Sequence, residues 1–481
     1  MVSSPDGNAH GPGLDKRCGR RSVPSQGAVQ SDGAETYSCQ AVSAQRAPSA
    51  IVASAYRRHR DLLLNAGSLY ATVGVTSILG AVYWVLAARL FSQQDVGYGA
   101  AEVPTMALLG TIGVFGLDIL LVGELPKRKR RAEFVSAALI ACALGSLLLG
   151  LGFTLIAPHF SQRFATMIGT PDRKGLFAVG VALTSVSMAF DMATIGVLRG
   201  GIQLTRNLTF SLVKLAILPV FAFMLHDLLG FDITLSWIAG ITLSLVLVAA
   251  RMAHSGTRLL ARPDWGLLRS LRRTTMAYNW INIAMTAPPY LFPVLVTILI
   301  SPSANAVFYV AFTLSTLPYL IPHHLSTVLF AMAAAEPHAT PDRVRFALKL
   351  SYIIGIPAMA VLILGGHRIL SVYGPGYVRI GNVSMYLLTL GYIPSVLKTL
   401  YIAICRANDR ITYCATILTV FAVVEVGGVA AGAAADGLVG LSLALLAVLT
   451  AEGIVIARPF LHAVIAPRTS PHLDQQNGAV G

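Results

Sequence analysis

Two lysines, Lys214 and Lys398, sit inside stretches of sequence that are otherwise apolar. A cation in that setting has two uses: it draws an anion into an apolar interior, or its long stem lets the ammonium snorkel back to water. Glu425 poses the converse question, because it lies fifteen residues beyond Arg410, near the middle of its apolar stretch. A carboxylate there binds a proton or sodium ion, or packs in its protonated form. Glu102, Asp118, Asp191 and Glu452 fall nearer the ends of such stretches, within reach of interfacial water. Glu425 therefore leads the candidates for ion coupling, followed by Asp191, His323 and His324. The histidine pair, directly after Pro322, is equally a kink filled by hydrogen bonds.

A second set of polar groups is periodic. Asn65, Ser68, Thr72, Thr76, Gly80 and Tyr83 recur at steps of three and four, which puts them on one helix face. Asn279, Asn282, Thr286, Tyr290, Pro293 and Thr297 do the same later in the chain, and the first three of each set share one spacing. Such a stripe cannot face lipid, where its hydrogen-bonding atoms would be unpaired. It lines a polar cavity or packs tightly against another helix.

The elements that carry these residues are membrane helices. Charged residues make up only 12% of the 481, hydrophobic residues 55%, and mean hydropathy is +0.68. An ordinary soluble protein carries about 25% charge. Apolar spans are expected near 65–89, 91–123, 134–157, 175–198, 207–225 and 233–252, then near 277–300, 304–332, 346–366, 382–404, 411–432 and 437–457. The predicted fold is all-α, with about twelve transmembrane helices in two six-helix lobes. Residues 1–60 read as a disordered tail without the apolar core of a secretory signal. Residues 61–255 form the first lobe, 256–276 a basic connector, 277–458 the second lobe and 459–481 a short tail. Because six is even, the halves enter the membrane with the same orientation.

Charge sets the direction. The flanks assigned to the inside hold 23 Lys and Arg, including the run Lys127–Arg131, against six on the other side. This bias predicts cytoplasmic termini. The formal charge of +14 lies in short clusters between spans, so it reflects topology and not nucleic-acid binding. Five cysteines form no CxxC pair, and no HExxH or GxxxxGK[ST] motif occurs, so no metal, cofactor or ATP site is expected. Almost no chain is left over for a catalytic domain, and an enzyme is not expected.

The run NAGSLYATVGVTSILGAVYWVLAARLFSQQDVGYGAAEVPTMALLGTIGVFGLD from Asn65, the LRGGIQLTRN segment from Leu198, and NWINIAMTAPPYLFPVLVTILISPSANAVFYVAFTLSTLPYLIP from Asn279 resemble the polysaccharide biosynthesis, or oligosaccharide flippase, family. That family belongs to the superfamily that also holds multidrug and toxin extruders and lipid II flippases. The resemblance, over residues 61–458, implies two lobes around a central cavity lined by the first and seventh helices. It further implies translocation of an undecaprenyl-pyrophosphate-linked oligosaccharide across a bacterial plasma membrane by alternating access.

The partners expected on this reading are a lipid-linked glycan, membrane lipids, a proton or sodium ion, and glycosyltransferases and a polysaccharide polymerase. Lys214 and Lys398 would receive the pyrophosphate, with Asn65, Ser68, Thr72, Asn279, Asn282 and Thr286 along the glycan. The alternatives are a multidrug-type cation antiporter on the same fold, a membrane-embedded glycosyltransferase or polymerase, and a scaffold for cell-wall proteins. A cationic drug would favour acidic or aromatic walls, whereas the two lysines favour an anion.

Overall fold

Long apolar helices account for nearly all of the described chain. The computed structural model describes residues 73–128, 130–197, 199–224, 229–254, 261–326, 340–407 and 411–465, all within the unit His59–Gly481. Asn65, Ser68 and Thr72 lie outside the described residues, as does the N-terminal tail.

The helices are α1 (Val73–Leu90), α2 (Gln93–Gly113), α3 (Leu117–Glu124), α4 (Arg131–Phe160), the short α5 (Gln162–Met167), α6 (Pro171–Gly196), α7 (Gly200–Met224) and α8 (Phe231–His254). The second half has the short α9 (Trp265–Ser270), α10 (Arg272–Leu299), α11 (Pro302–Ser315), α12 (320–326), α13 (Thr340–Ser371), the short α14 (Pro375–Val378), α15 (Gly381–Leu390), α16 (Tyr392–Ala407) and α17 (Ile411–Ile465). No strand occurs among the described residues.

Among the described residues nine helices are long and apolar enough to cross a membrane, and two bent pairs, α2 with α3 and α15 with α16, raise the number to eleven. The break in the first pair has a local cause. Phe115 (φ 53°) and Gly116 (φ 72°) are both left-handed, and the halves bend by 56°. α17 is itself two crossings, since Asp436 and Gly437 (φ 53°) leave helical geometry and the two arms fold back on each other. Gly432 lies against the backbone of Gly440, and Gly428 against Val448. Two such arms bring the described crossings to the expected twelve.

Several boundaries differ from the sequence expectation. The connector before the second half is partly helical: α9 tucks Leu267 and Leu268 against Leu125 and Phe134, and α10 already begins at Arg272. Asp264 caps α9 by accepting from the Leu267 amide at 3.0 Å. Pro288, Pro289 and Pro293 all lie inside the single helix α10. Arg206, counted from sequence as a flanking charge, is inside α7 and 4% exposed.

Odd-numbered connections lie at one end of the bundle, called here the far end; the basic clusters lie at the other. The two halves are joined at the far end by direct hydrogen bonds. Arg89, after the first span, donates to the carbonyls of Val372 (2.9 Å) and Ser371 (3.3 Å) after the ninth. Arg163, after the third, donates to Thr297 (2.8 Å) and Ile298 at the end of the seventh. Gln93 donates to the Ser303 carbonyl (3.0 Å) and Asn305 to that of Gly97 (2.8 Å), linking the second and eighth. Pairing one with nine and three with seven is what a two-fold axis along the membrane normal generates. The largest apolar cluster also spans both halves here, with Tyr83, Trp84, Val96 and Ala100 against Phe292, Phe308, Leu370 and Met385.

Candidate functional site

Lys398 is held between two carboxylates. It projects from α16, and its Nζ donates to Glu425 on the first arm of α17 and to Glu452 on the second, the latter at 2.8 Å. The hairpin makes this possible, because folding α17 at Gly437 returns position 452 to the level of 425. Glu425 is 6% exposed and Glu452 3%. Glu452, expected near interfacial water, is therefore a buried partner of Lys398, and Glu425 is paired, not isolated. With all three groups ionised the set carries one net negative charge. Burying an unbalanced charge is costly, so one more positive charge completes the site.

Lys398 and Glu425 open onto a cavity of about 630 Å³. α10 supplies Pro289 and Tyr290 to its wall, the eighth span Tyr319 and His323, and α16 Ser395 and Thr399. Tyr319 donates to the Leu388 carbonyl at 3.1 Å, which fixes its ring beside the site. The lining residues run from Ala284 to Leu449, so this cavity belongs to the second half, with the seventh span in its wall, whereas the resemblance implied a central cavity lined by the first and seventh helices together. His323 faces it; His324 stacks edge-on to His323 at 5.6 Å.

An apolar groove of about 480 Å³ runs along the other side of the contact between α10 and α17, lined by Trp280, Ile283, Leu291, Ala422 and Val423. The two share Ala284 as a common wall. Trp280 (57% exposed) and Val423 (66%) mark this groove as the outer face of the bundle.

Lys214 is placed quite differently. Its ammonium sits 3.6 Å from the centroid of Trp237, 4.5 Å from Phe210 and 4.7 Å from Tyr83, a cation–π cage that is 3% exposed. Those partners come from α1, α7 and α8, whereas those of Lys398 come from α17. The sequence reading in which the two lysines converge on one pyrophosphate is corrected: the structure brings them to different clusters. Tyr83 anchors the cage by bonding the Ile233 carbonyl (3.0 Å) and Ser236 Oγ (2.7 Å). Ser236 keeps its own bond to Ile233, so Tyr83→Phe should cost only about 1 kcal/mol in thermal unfolding.

Asp191 makes a bidentate pair with Arg206, whose Nε donates at 2.9 Å, and accepts from Asn207 at 3.0 Å. Both carboxylate oxygens of Asp191 are thus engaged by Arg206 and Asn207 of α7, and Asp191 does not line the cavity beside Lys398 and Glu425. Arg206 escaped the sequence reading because the span starts seven residues earlier than its apolar pattern, at Gly200. Glu102, also expected near water, is fully buried on α2 and accepts from Thr234 on α8.

The polar stripe on the seventh span meets the first half of the chain. Asn279 donates to the Ile112 carbonyl (3.3 Å) and Asn282 to Asp118 (3.1 Å), while Thr286 bonds the Asn282 carbonyl within its own helix (2.7 Å). Asn279 and Asn282 thus stitch the halves together, and only Tyr290 of that stripe reaches the cavity. Cys142, Cys405 and Cys414 are buried and form no disulfide, and no metal-holding cluster occurs among the described residues.

The fold is that of the MATE transporters of the MOP superfamily, with two lobes. An inward-facing MATE family transporter superposes with a TM-score of 0.62 over 81% of this chain and 94% of its own, at 12% identity. A Vibrio cholerae MATE transporter gives 0.56 over 86% and 97%, at 14% identity. A MOP superfamily transporter from Pyrococcus furiosus, described as having a binding pocket of reversed polarity, gives 0.53 over 85% and 96%, at 11%. No family model matches the sequence, and no curated protein does.

Proposed function

We propose that this protein is an alternating-access membrane transporter, not an enzyme, and that its substrate is an undecaprenyl-pyrophosphate-linked oligosaccharide. The observation that carries the reading is that a cavity bearing Lys398, Glu425, Tyr290, Ser395 and Thr399 and an apolar groove both border Ala284. A lipid-linked sugar has one end that hydrocarbon excludes and one that water excludes, and it needs both surfaces at once. Tyr290, Ser395 and Thr399 offer hydrogen bonds to hydroxyls, and Lys398 a cation to the phosphates. The lipid lies along Trp280 and Val423, outside the bundle.

The coupling ion belongs at Glu425 and Glu452. A proton or sodium ion neutralises the pair, and a phosphate that draws Lys398 away from the carboxylates increases their demand for a cation, so an anionic substrate and the ion bind together. The same carboxylates favour a second reading, a multidrug-type exchanger in which a cationic substrate and the ion compete for one place. The sign of the ion dependence separates the two.

On the flippase reading the protein lies in a bacterial plasma membrane with both termini cytoplasmic and the far end outside. The lobes are residues 61–255 and 277–458, joined by the 256–276 connector. Glycosyltransferases would supply its substrate and a polymerase consume its product. Purified protein in liposomes should move a fluorescent lipid-linked oligosaccharide between leaflets, at a rate raised by an inward proton or sodium gradient supplied with the substrate. Movement of ethidium with no movement of the oligosaccharide would replace this reading with the exchanger.

A further inference from the structure

A third cavity, of about 310 Å³, lies in the first half at the basic end of the bundle. Its walls are apolar, with Val135 from α4, Phe190 from α6, Ile202 from α7 and Met252 from α8. Arg131, the first residue of α4, and Arg199, in the connection between α6 and α7, border it. Every one of these groups is at or near a span end, where hydrocarbon gives way to headgroups.

The charge around this cavity is unbalanced. Glu124 already accepts from Lys127 (3.0 Å) and Arg128 (2.8 Å), Glu133 pairs with Arg130 (3.4 Å), and Asp191 is taken by Arg206. Among the described residues Arg131 donates only to backbone, to the carbonyls of Arg128 (3.3 Å) and Pro126 (3.2 Å). These bonds fix its position without neutralising it. Arg199 takes part in none of the ion pairs among the described residues. Two guanidinium groups are thus left over beside an apolar pocket, while Glu124, Glu133 and Asp191 are each taken by another cation.

We propose that this pocket binds an anionic phospholipid of the adjacent leaflet, its phosphate between Arg131 and Arg199 and part of an acyl chain against Phe190 and Met252. The guanidinium fork suits phosphate oxygens, and basic pockets between helices at the cytoplasmic face take lipid headgroups. Free phosphate would meet the same two cations but gain nothing from four hydrocarbon walls. The pocket touches α4, α6, α7 and α8 together, so its occupant braces the first half. This site is independent of the proposed substrate and of its cavity.

The test is binding, not transport. Detergent-purified protein is titrated with phosphatidylglycerol, phosphatidylcholine or inorganic phosphate, reading melting temperature and retained lipid by native mass spectrometry. Wild type should retain phosphatidylglycerol over phosphatidylcholine, and Arg199→Gln should weaken that retention about fivefold, since one such charge near a surface contributes about that factor. The Arg131→Gln, Arg199→Gln double variant should lose the preference, and Arg199→Lys should keep most of it. Because Arg131 also ties down backbone, the exposed Arg199 gives the result if the double variant fails to fold. Undiminished preference in Arg199→Gln, or an equal shift with inorganic phosphate alone, overturns the proposal.

Discussion

Lys398→Met is expected to destabilise the protein by about 3–5 kcal/mol, the range seen when one partner of a buried ion pair is removed. The change keeps the stem of the side chain but leaves Glu425 and Glu452, 6% and 3% exposed, without their ammonium. Two carboxylates near one another in a largely buried site then repel, and a proton or cation must neutralise them for the helices to stay packed. Lys398→Met with Glu425→Gln and Glu452→Gln should recover most of the loss, because amides carry no charge to compensate.

Thermal unfolding in one detergent, with retained monodispersity as the control, reads both effects. A single variant as stable as wild type would show that Lys398 does not hold the two glutamates. The transport outcome is separate: the triple variant should fold but lose dependence on an ion gradient, because nothing remains to bind the ion.

The second large effect is expected at Gly97. A Cβ placed there would overlap the backbone carbonyl of Pro302, which no rotamer change relieves, and Asn305 already bonds the Gly97 carbonyl from the same side. Gly97→Leu must therefore separate α2 from α11 at the far end. Overpacking of this kind costs about 1–3 kcal/mol. Between two conformations that differ at this contact, that shift changes their ratio by about 5- to 150-fold.

A cysteine at Ala306, fully buried on α11 in this closed arrangement, should then react at least fivefold faster with a membrane-impermeant thiol reagent. Transport should fall, because the far end no longer closes. Gly201→Ala, with open space around the new methyl, should change neither readout. Unchanged reactivity at Ala306→Cys would mean that the Gly97 contact does not hold the far end shut.

Much of the architecture is legible in the order of residues alone. Each crossing depends on a local property, about twenty apolar residues in a row, and lipid demands this of each segment separately. Nearly all the expected spans recur within a few residues, and even the hairpin between 432 and 437 is visible as a short gap in the apolar pattern. The exceptions are charged helix ends. Arg206 and Arg272 look like loop residues by hydropathy, yet both continue a helix, and for Arg206 a buried carboxylate satisfies the charge there.

The site is less legible, for a reason that Lys398 and Lys214 illustrate. Sequence alone shows that each is a cation within an apolar helix, and it singles out Glu425 and the seventh span. Which groups a buried cation meets depends on helices that are neighbours only after packing. Lys398 meets Glu425 and Glu452, 27 and 54 residues further on, because α17 folds back at Gly437; Lys214 meets Trp237, Phe210 and Tyr83 because α7 and α8 pack beside α1. The polar stripe at Asn279 and Asn282 is kept from lipid as its spacing requires, but only packing decides that it faces the first half and not the cavity. The sequence by itself thus determined the membrane class, the spans and the residues that could not be exposed to lipid. Tertiary structure decided which of them are paired and which are left to act, since charge compensation is a property of neighbours in space and not of spacing along one helix.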